Sequence, residues 1–254
     1  MRRTIFAGLL AGIFASAAAT GQAGQFSLTT GLDYSSGKYG GTQETDTLYI
    51  PFIGKYEDGL WAFKLTVPYV RVTGPGSVVR DVGAFKTASA TRTTESGLGD
   101  VVAAATRNVY DNGASGTLLD VTGKVKFATA DENKGLGTGE NDYAVQLDAY
   151  QTAGKVTLLG TVGYKVLGDP AGISLDNVWY GTLGVSGKVG AETSAGVMLD
   201  VRQKASATGS PQREVTAYVS HKYSKEWKSQ AYLVKGFADG SPDWGAGAMV
   251  TRSF

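Results

Sequence analysis

The stretch Asp120-Val-Thr-Gly-Lys-Val-Lys-Phe127 alternates strictly, with Val121, Gly123, Val125 and Phe127 on one face and Asp120, Thr122, Lys124 and Lys126 on the other. A period of two is the signature of a β-strand, because a helix of 3.6 residues per turn would mix the two sets. The alternation recurs along the chain. Tyr143, Val145, Leu147 and Ala149 oppose Asp142, Gln146 and Asp148, and Val156, Leu158, Val162, Tyr164 and Val166 oppose Lys155, Thr157, Thr161 and Lys165. Val197, Leu199 and Val201 oppose Asp200, Arg202 and Lys204, and Val215, Ala217 and Val219 oppose Glu214, Thr216, Ser220 and Lys222.

Read in this way, the chain holds about twelve strands: 25–36, 44–56, 60–73, 97–110, 116–129, 141–151, 155–167, 176–188, 194–205, 212–223, 228–238 and 243–254. Ten and fourteen are the neighbouring counts. Tight turns fall at Glu57-Asp58-Gly59, Asp111-Asn112-Gly113, Thr152-Ala153-Gly154, Gly190-Ala191-Glu192 and Ser224-Lys225-Glu226. Two of them pair Asp or Asn with Gly, which tolerates positive φ. The alternate connections, such as 73–96 and 130–140, are longer, polar and rich in glycine.

Short turns at one end and long loops at the other are the asymmetry of an outer-membrane barrel, with the turns in the periplasm. The expected fold is therefore all-β: a closed antiparallel transmembrane β-barrel, with both termini on the periplasmic side. Its outward aromatics sort into two bands, as water–lipid boundaries require. Phe26, Tyr56, Trp61 and Phe254 fall near the periplasmic rim, and Tyr34, Tyr69, Tyr143, Tyr164, Trp179 and Trp244 near the outer rim. A soluble β-sandwich would also alternate, but it gives no reason for two bands.

Composition supports this reading. There are 36 glycines and 13 tyrosines, and the longest aliphatic run after residue 24 is Val101–Ala105, far too short for a membrane helix. Met1-Arg2-Arg3 and the apolar run to Ala15 look like a secretory signal peptide, expected to end after Ala23, with Ala19 as the competing site. Residues 24–254 then form one barrel domain in the outer membrane of a Gram-negative bacterium. Losing Arg2 and Arg3 from 24 basic residues leaves 22 against 23 acidic ones. That balance gives no support to a nucleic-acid partner. Without cysteine the chain has no disulfides, thiol catalysis or Cys-based metal sites.

Ser96-Gly-Leu-Gly-Asp100, Gly137-Thr-Gly-Glu-Asn-Asp-Tyr143 and the final Phe254 resemble the bacterial outer-membrane barrels grouped as meta-pathway phenol-degradation proteins, described as transporters. The resemblance implies an outer-membrane barrel passing small hydrophobic or aromatic compounds. It also implies that the terminal aromatic is read by the barrel assembly machinery, a second partner beside the membrane lipids.

The glycine motifs do not make a nucleotide site. Gly135-Leu-Gly-Thr-Gly139 is followed by a strand where a dinucleotide fingerprint needs a helix. The single histidine, His221, points outward near the periplasmic rim by parity, so no catalytic residue, metal site or cofactor is assigned. The inward polar faces are the candidate functional surface. They bring Lys124, Lys126, Asp120, Asp148, Lys165, Asp200, Arg202, Lys204 and Lys222 into the lumen, with Trp61, Tyr69, Trp179, Trp244 and Phe254 at the membrane interfaces. Twelve strands lie between a filled eight-stranded barrel and an open porin, so a narrow polar pore for passive diffusion is expected. The alternatives are a lipid-modifying barrel enzyme and a structural or adhesion barrel that acts through its loops.

Overall fold

The computed structural model describes residues 24–80, 82–84 and 91–254. The expected leader, residues 1–23, lies outside the described residues. The long strands are β1 (Gln25–Gly37), β2 (Thr45–Glu57), β3 (Trp61–Gly74), β4 in two pieces (Thr93–Leu98 and Val101–Asn112), β5 (Thr117–Phe127) and β6 (Asp142–Ala153). They continue with β7 (Val156–Val166), β8 (Val178–Lys188), β9 (Thr193–Arg202), β10 (Gln212–Lys222), β11 (Trp227–Gly236) and β12 (Trp244–Ser253). Each pairs antiparallel with its sequence neighbours, and β1 returns to β12 from Ser27↔Ser253 to Ser36↔Trp244. This twelve-stranded sheet is closed. Closure leaves no row of unpaired backbone groups to face lipid.

The connections alternate as the sequence predicts. At one end lie 58–60, 113–116, 154–155, 189–192 and 223–226; at the other lie 38–44, 75–92, 128–141, 167–177, 203–211 and 237–243. The two-residue turn after β6 works because Gly154 takes φ 61°, a conformation that costs other residues energy.

The fourth strand departs from the single run 97–110. It starts earlier, at Thr93, and is broken at Gly99–Asp100. The cause is on its partner. Leu98 pairs with Tyr69 and Val102 with Thr66, so three residues of β4 pass two of β3, one of which is Pro68. Proline has no N–H to return to the ladder, and the strand bulges there. Gly99 N–H still donates to Pro68 O at 2.9 Å.

The outward face carries Leu28, Leu32, Phe52, Leu65, Val145, Leu158, Leu183, Leu199 and Leu233, all exposed. So large a continuous apolar surface cannot face water and is a lipid-facing band. Its short-turn rim pairs Phe26 with Phe254 at 6.0 Å and Trp61 with Phe63 at 5.9 Å between ring centroids. Arg107 lies over Trp61, and Arg252 over Trp227 and Phe254, so outward arginines at this rim stack on aromatic faces. The long-loop rim pairs Tyr34 with Trp244 at 5.3 Å and Tyr164 with Trp179 at 5.0 Å. Trp61, Tyr69, Trp179, Trp244 and Phe254 all point outward.

The interior is less uniformly polar than the narrow polar pore expected from the inward faces. Leu118, Tyr150, Leu159, Met198, Tyr218 and Tyr232 point inward and pack together, joined by Val234 and Met249. This apolar cluster lines the inner wall between β5 and β12 and narrows the lumen. Alternation sorts faces, but it cannot tell a hydrophilic inward residue from an inward tyrosine or methionine that packs sideways on its neighbours.

Candidate functional site: the barrel lumen

Register sorts the inward side chains into transverse rows. In one row Asn108 pairs with Asp120, Asp120 with Asp148, Asp148 with Thr161, Thr161 with Thr182, Thr182 with Asp200 and Asp200 with Glu214. Four carboxylates thus follow one another around the wall. Each is held by neutral donors. Asp120 accepts from Asn108 Nδ2 at 2.9 Å, Asp200 from Thr182 Oγ1 at 2.6 Å, and Asp148 from Thr161 Oγ1 at 2.6 Å and Gln146 Nε2 at 2.7 and 2.8 Å. Glu214 accepts from Gln212 Nε2 at 2.5 Å.

Four residues along the strands from this row lies another. Lys55 pairs with Lys64, Lys64 with Ala104, Ala104 with Lys124, Lys124 with Ala144 and Ala144 with Lys165. Lys124 donates to Gln146 Oε1 and sits 5.8 Å from the ring centre of Tyr180, and Lys55 pairs with Glu57 at 2.7 Å.

The long-loop end is narrowed from within. Of the described residues between β3 and β4, Val79, Arg80, Val82 and Ala84 lie against the interior: Arg80 reaches Asp33 Oδ1 at 2.8 Å while its guanidinium lies 4.1 Å from the centre of the Tyr49 ring. Tyr232 donates to the other oxygen of Asp33. Farther along, Arg202 Nη2 donates to Val82 O at 2.9 Å and Ser206 Oγ to Ala84 O at 2.8 Å. Val82 and Ala84 are thereby fastened to the β9 side. Val79 and Val82 pack on Leu167, Leu175, Val178 and Ala205 from the facing loops and β8, which buries apolar area at this end. Loop 128–141 folds over the wall beside it, placing Ala130 and Leu136 against Val70.

These contacts divide the sequence-predicted residues. Lys124, Asp120, Asp148, Lys165 and Asp200 belong to the two interior rows. Lys126 instead bridges Asp100 at 3.2 Å and Asp142 at 3.0 Å and donates to Thr138 at 3.1 Å, tying loop 128–141 to the wall. Arg202 likewise anchors a loop. Lys222 faces inward but is exposed at the short-turn rim. Lys204 is corrected: β9 ends at Arg202, and Lys204 stands exposed in the 203–211 connection rather than in the lumen. The alternation of β9 continues by chance past the strand's last ladder pair.

Sequence reasoning missed Arg80, Tyr49, Tyr180 and Lys228 as interior groups, while Gln146 was on the inward polar face without a role. Arg80 lies in a loop with no periodic pattern, and tyrosines on inward faces were hidden among those of the aromatic bands. His221 points outward, with Nδ1 2.8 Å from Thr193 Oγ1 and its ring edge-on to Tyr223. No group of His, Asp and Glu able to hold a metal ion occurs among the described residues.

No family model and no curated sequence matches the chain. Among solved structures it is similar to the COG4313 outer membrane channel from Pseudomonas putida F1, at 14% identity over 92% of this chain and 96% of that one, with a TM-score of 0.71. It is also similar to the KdgM porin, at 10% identity over 90% and 99% of the two chains and a TM-score of 0.54. The translocator domain of autotransporter NalP from Neisseria meningitidis gives 13% identity, 92% and 89% coverage and a TM-score of 0.52. At such identities the likeness is one of fold, and the fold is that of an outer-membrane β-barrel.

Proposed function

We propose that the chain is a passive outer-membrane channel for small organic solutes, including the hydrophobic or aromatic compounds that go with the phenol-degradation group it resembles. One observation carries the reading: a closed transmembrane barrel holds a charged, half-buried inward wall that runs from the short-turn end to the long-loop end. A wall built only to be a structural core would have no use for so many ammonium groups, since burying a charge is costly. Support for aromatic solutes comes from Tyr49 and Tyr180, inward rings that each lie beside a cation. No cofactor or energy source enters. Selectivity is set by charge along the rows and by the width left beside loop 75–92.

Planar-bilayer recording of the refolded protein tests the reading, together with efflux from solute-loaded liposomes. Discrete conductance steps are expected. Neither conductance nor leak in a correctly folded barrel would remove it. Arg80→Ala is expected to raise single-channel conductance, because it removes the side chain that closes the gap between loop 75–92 and Asp33; an unchanged conductance would place the constriction elsewhere.

A further inference from the structure

The two charged rows are unequal in how they meet the passage. The amine row starts at Lys55, two residues from the short-turn end of β2, and finishes at Lys165, one residue from the long-loop end of β7. Strands tilt in a barrel, so a row perpendicular to them climbs the wall as it crosses it. Lys55, Lys64, Lys124 and Lys165 therefore form a staircase through the whole thickness of the barrel. Neighbouring strands lie about 4.8 Å apart, so Lys64 and Lys124, and then Lys124 and Lys165, are separated by roughly 10 Å across the wall. The intervening residues are Ala104 and Ala144, which leave room beside each amine. At the short-turn mouth Lys222 pairs with Lys228, so more positive charge gathers where the staircase begins.

The carboxylate row is set differently. Asp148 and Glu214 are each only 3% exposed, Asp120 and Asp200 are half-buried, and all four accept from the hydroxyl and amide donors described above. Aspartate also carries its charge on a short stem, whereas the four-carbon stem of lysine can bring an ammonium away from the wall. Lys124 and Lys165 are half-buried, not sealed, and Lys55 bridges Glu57 at 2.7 Å near the mouth.

On this basis, and resting on the channel reading above, we infer that the lumen selects small organic anions, whose carboxylates are passed from amine to amine along Lys55, Lys64, Lys124 and Lys165. Positive charge lining a low-dielectric wall raises the local concentration of anions and excludes cations. A planar carboxylate with an apolar body also suits a passage flanked by Tyr180 beside Lys124.

The purified full-length barrel in planar bilayers under a potassium chloride gradient gives the test. The reversal potential is expected to show chloride favoured over potassium, and Lys64→Gln with Lys124→Gln to lower that preference several-fold. Asp120→Asn is expected to raise it. Liposomes holding the protein should release succinate faster than putrescine, a dication of equal carbon count. Cation preference, an unchanged ratio in the lysine variants or equal release of the two probes would overturn the inference while leaving the channel intact. Absence of any conductance would instead overturn the channel reading and this one with it. Heat-modifiable gel migration checks that each variant is folded; should Lys124→Gln fail there, Lys64→Gln alone carries the comparison.

Discussion

At the scale of single residues, the interior depends on tyrosines laid along the wall. Tyr180, Tyr218 and Tyr232 cover Gly163, Gly196 and Gly247 on adjacent strands. A ring in this attitude shields backbone without crossing the passage. A Cβ at Gly196 would come 2.7 Å from the ring carbons and hydroxyl of Tyr218, so the ring would have to leave the wall. Gly196→Val is expected to destabilise the barrel by roughly 1–3 kcal/mol, the usual cost of overpacking. Gly123, outward with nothing within 4 Å of an added Cβ, is the matched control, and Gly123→Val should be near neutral. Urea midpoints of the refolded protein measure both; equal midpoints would show that Tyr218 is free to move. Asp148 makes a second case. Asp148→Ala leaves the donors of Thr161 and Gln146 unpaired in a buried place and is expected to cost about 1–3 kcal/mol, with Asp148→Asn milder. A loss below that of the asparagine variant would show that water replaces the carboxylate.

Among elements, β4 and loop 128–141 are coupled through one side chain. Asp100, at the break in β4, accepts from the backbone N–H of Thr129 at 3.1 Å and of Ala130 at 3.0 Å and also bridges Lys126. Asp100→Ala should free the start of the loop, with faster hydrogen exchange over residues 128–141 and little change in the paired strands. Uniform exchange throughout would show that the loop is held by Leu136 and Ala130 instead. Here the limits of the sequence are instructive. Strand existence, direction and turn placement were legible because alternation and Asp-Gly or Asn-Gly turns are local. The break at Gly99–Asp100 was not, because its cause, Pro68, sits on another strand. Asp100 itself was legible only as the end of a glycine-rich motif; its role depends on a loop whose fold has no period. Lys204 misled for the same reason, since a pattern of alternate residues does not say where pairing stops. The charged rows were within reach residue by residue, yet their order around the wall needed the register.

For the whole molecule, everything depends on the seam between β1 and β12. Thr29 and Thr251 face each other there, hydroxyl to hydroxyl at 2.8 Å. The chain has no cysteine, so Thr29→Cys with Thr251→Cys can be joined without competing thiols. Oxidation is expected to yield a covalent ring that, once boiled in detergent, migrates faster than its reduced form; identical migration would mean that the first and last strands are not neighbours. Closure also gives the amine row a meaning beyond charge. Amines that rise as they pass from strand to strand make a screw thread, and an anion that follows them turns about the axis as it advances. The hand of that thread is fixed by the twist that L-residues impose on strands. Mirror-image forms of a chiral anion therefore meet unequal paths, and a racemic mixture is expected to emerge enriched in one of them.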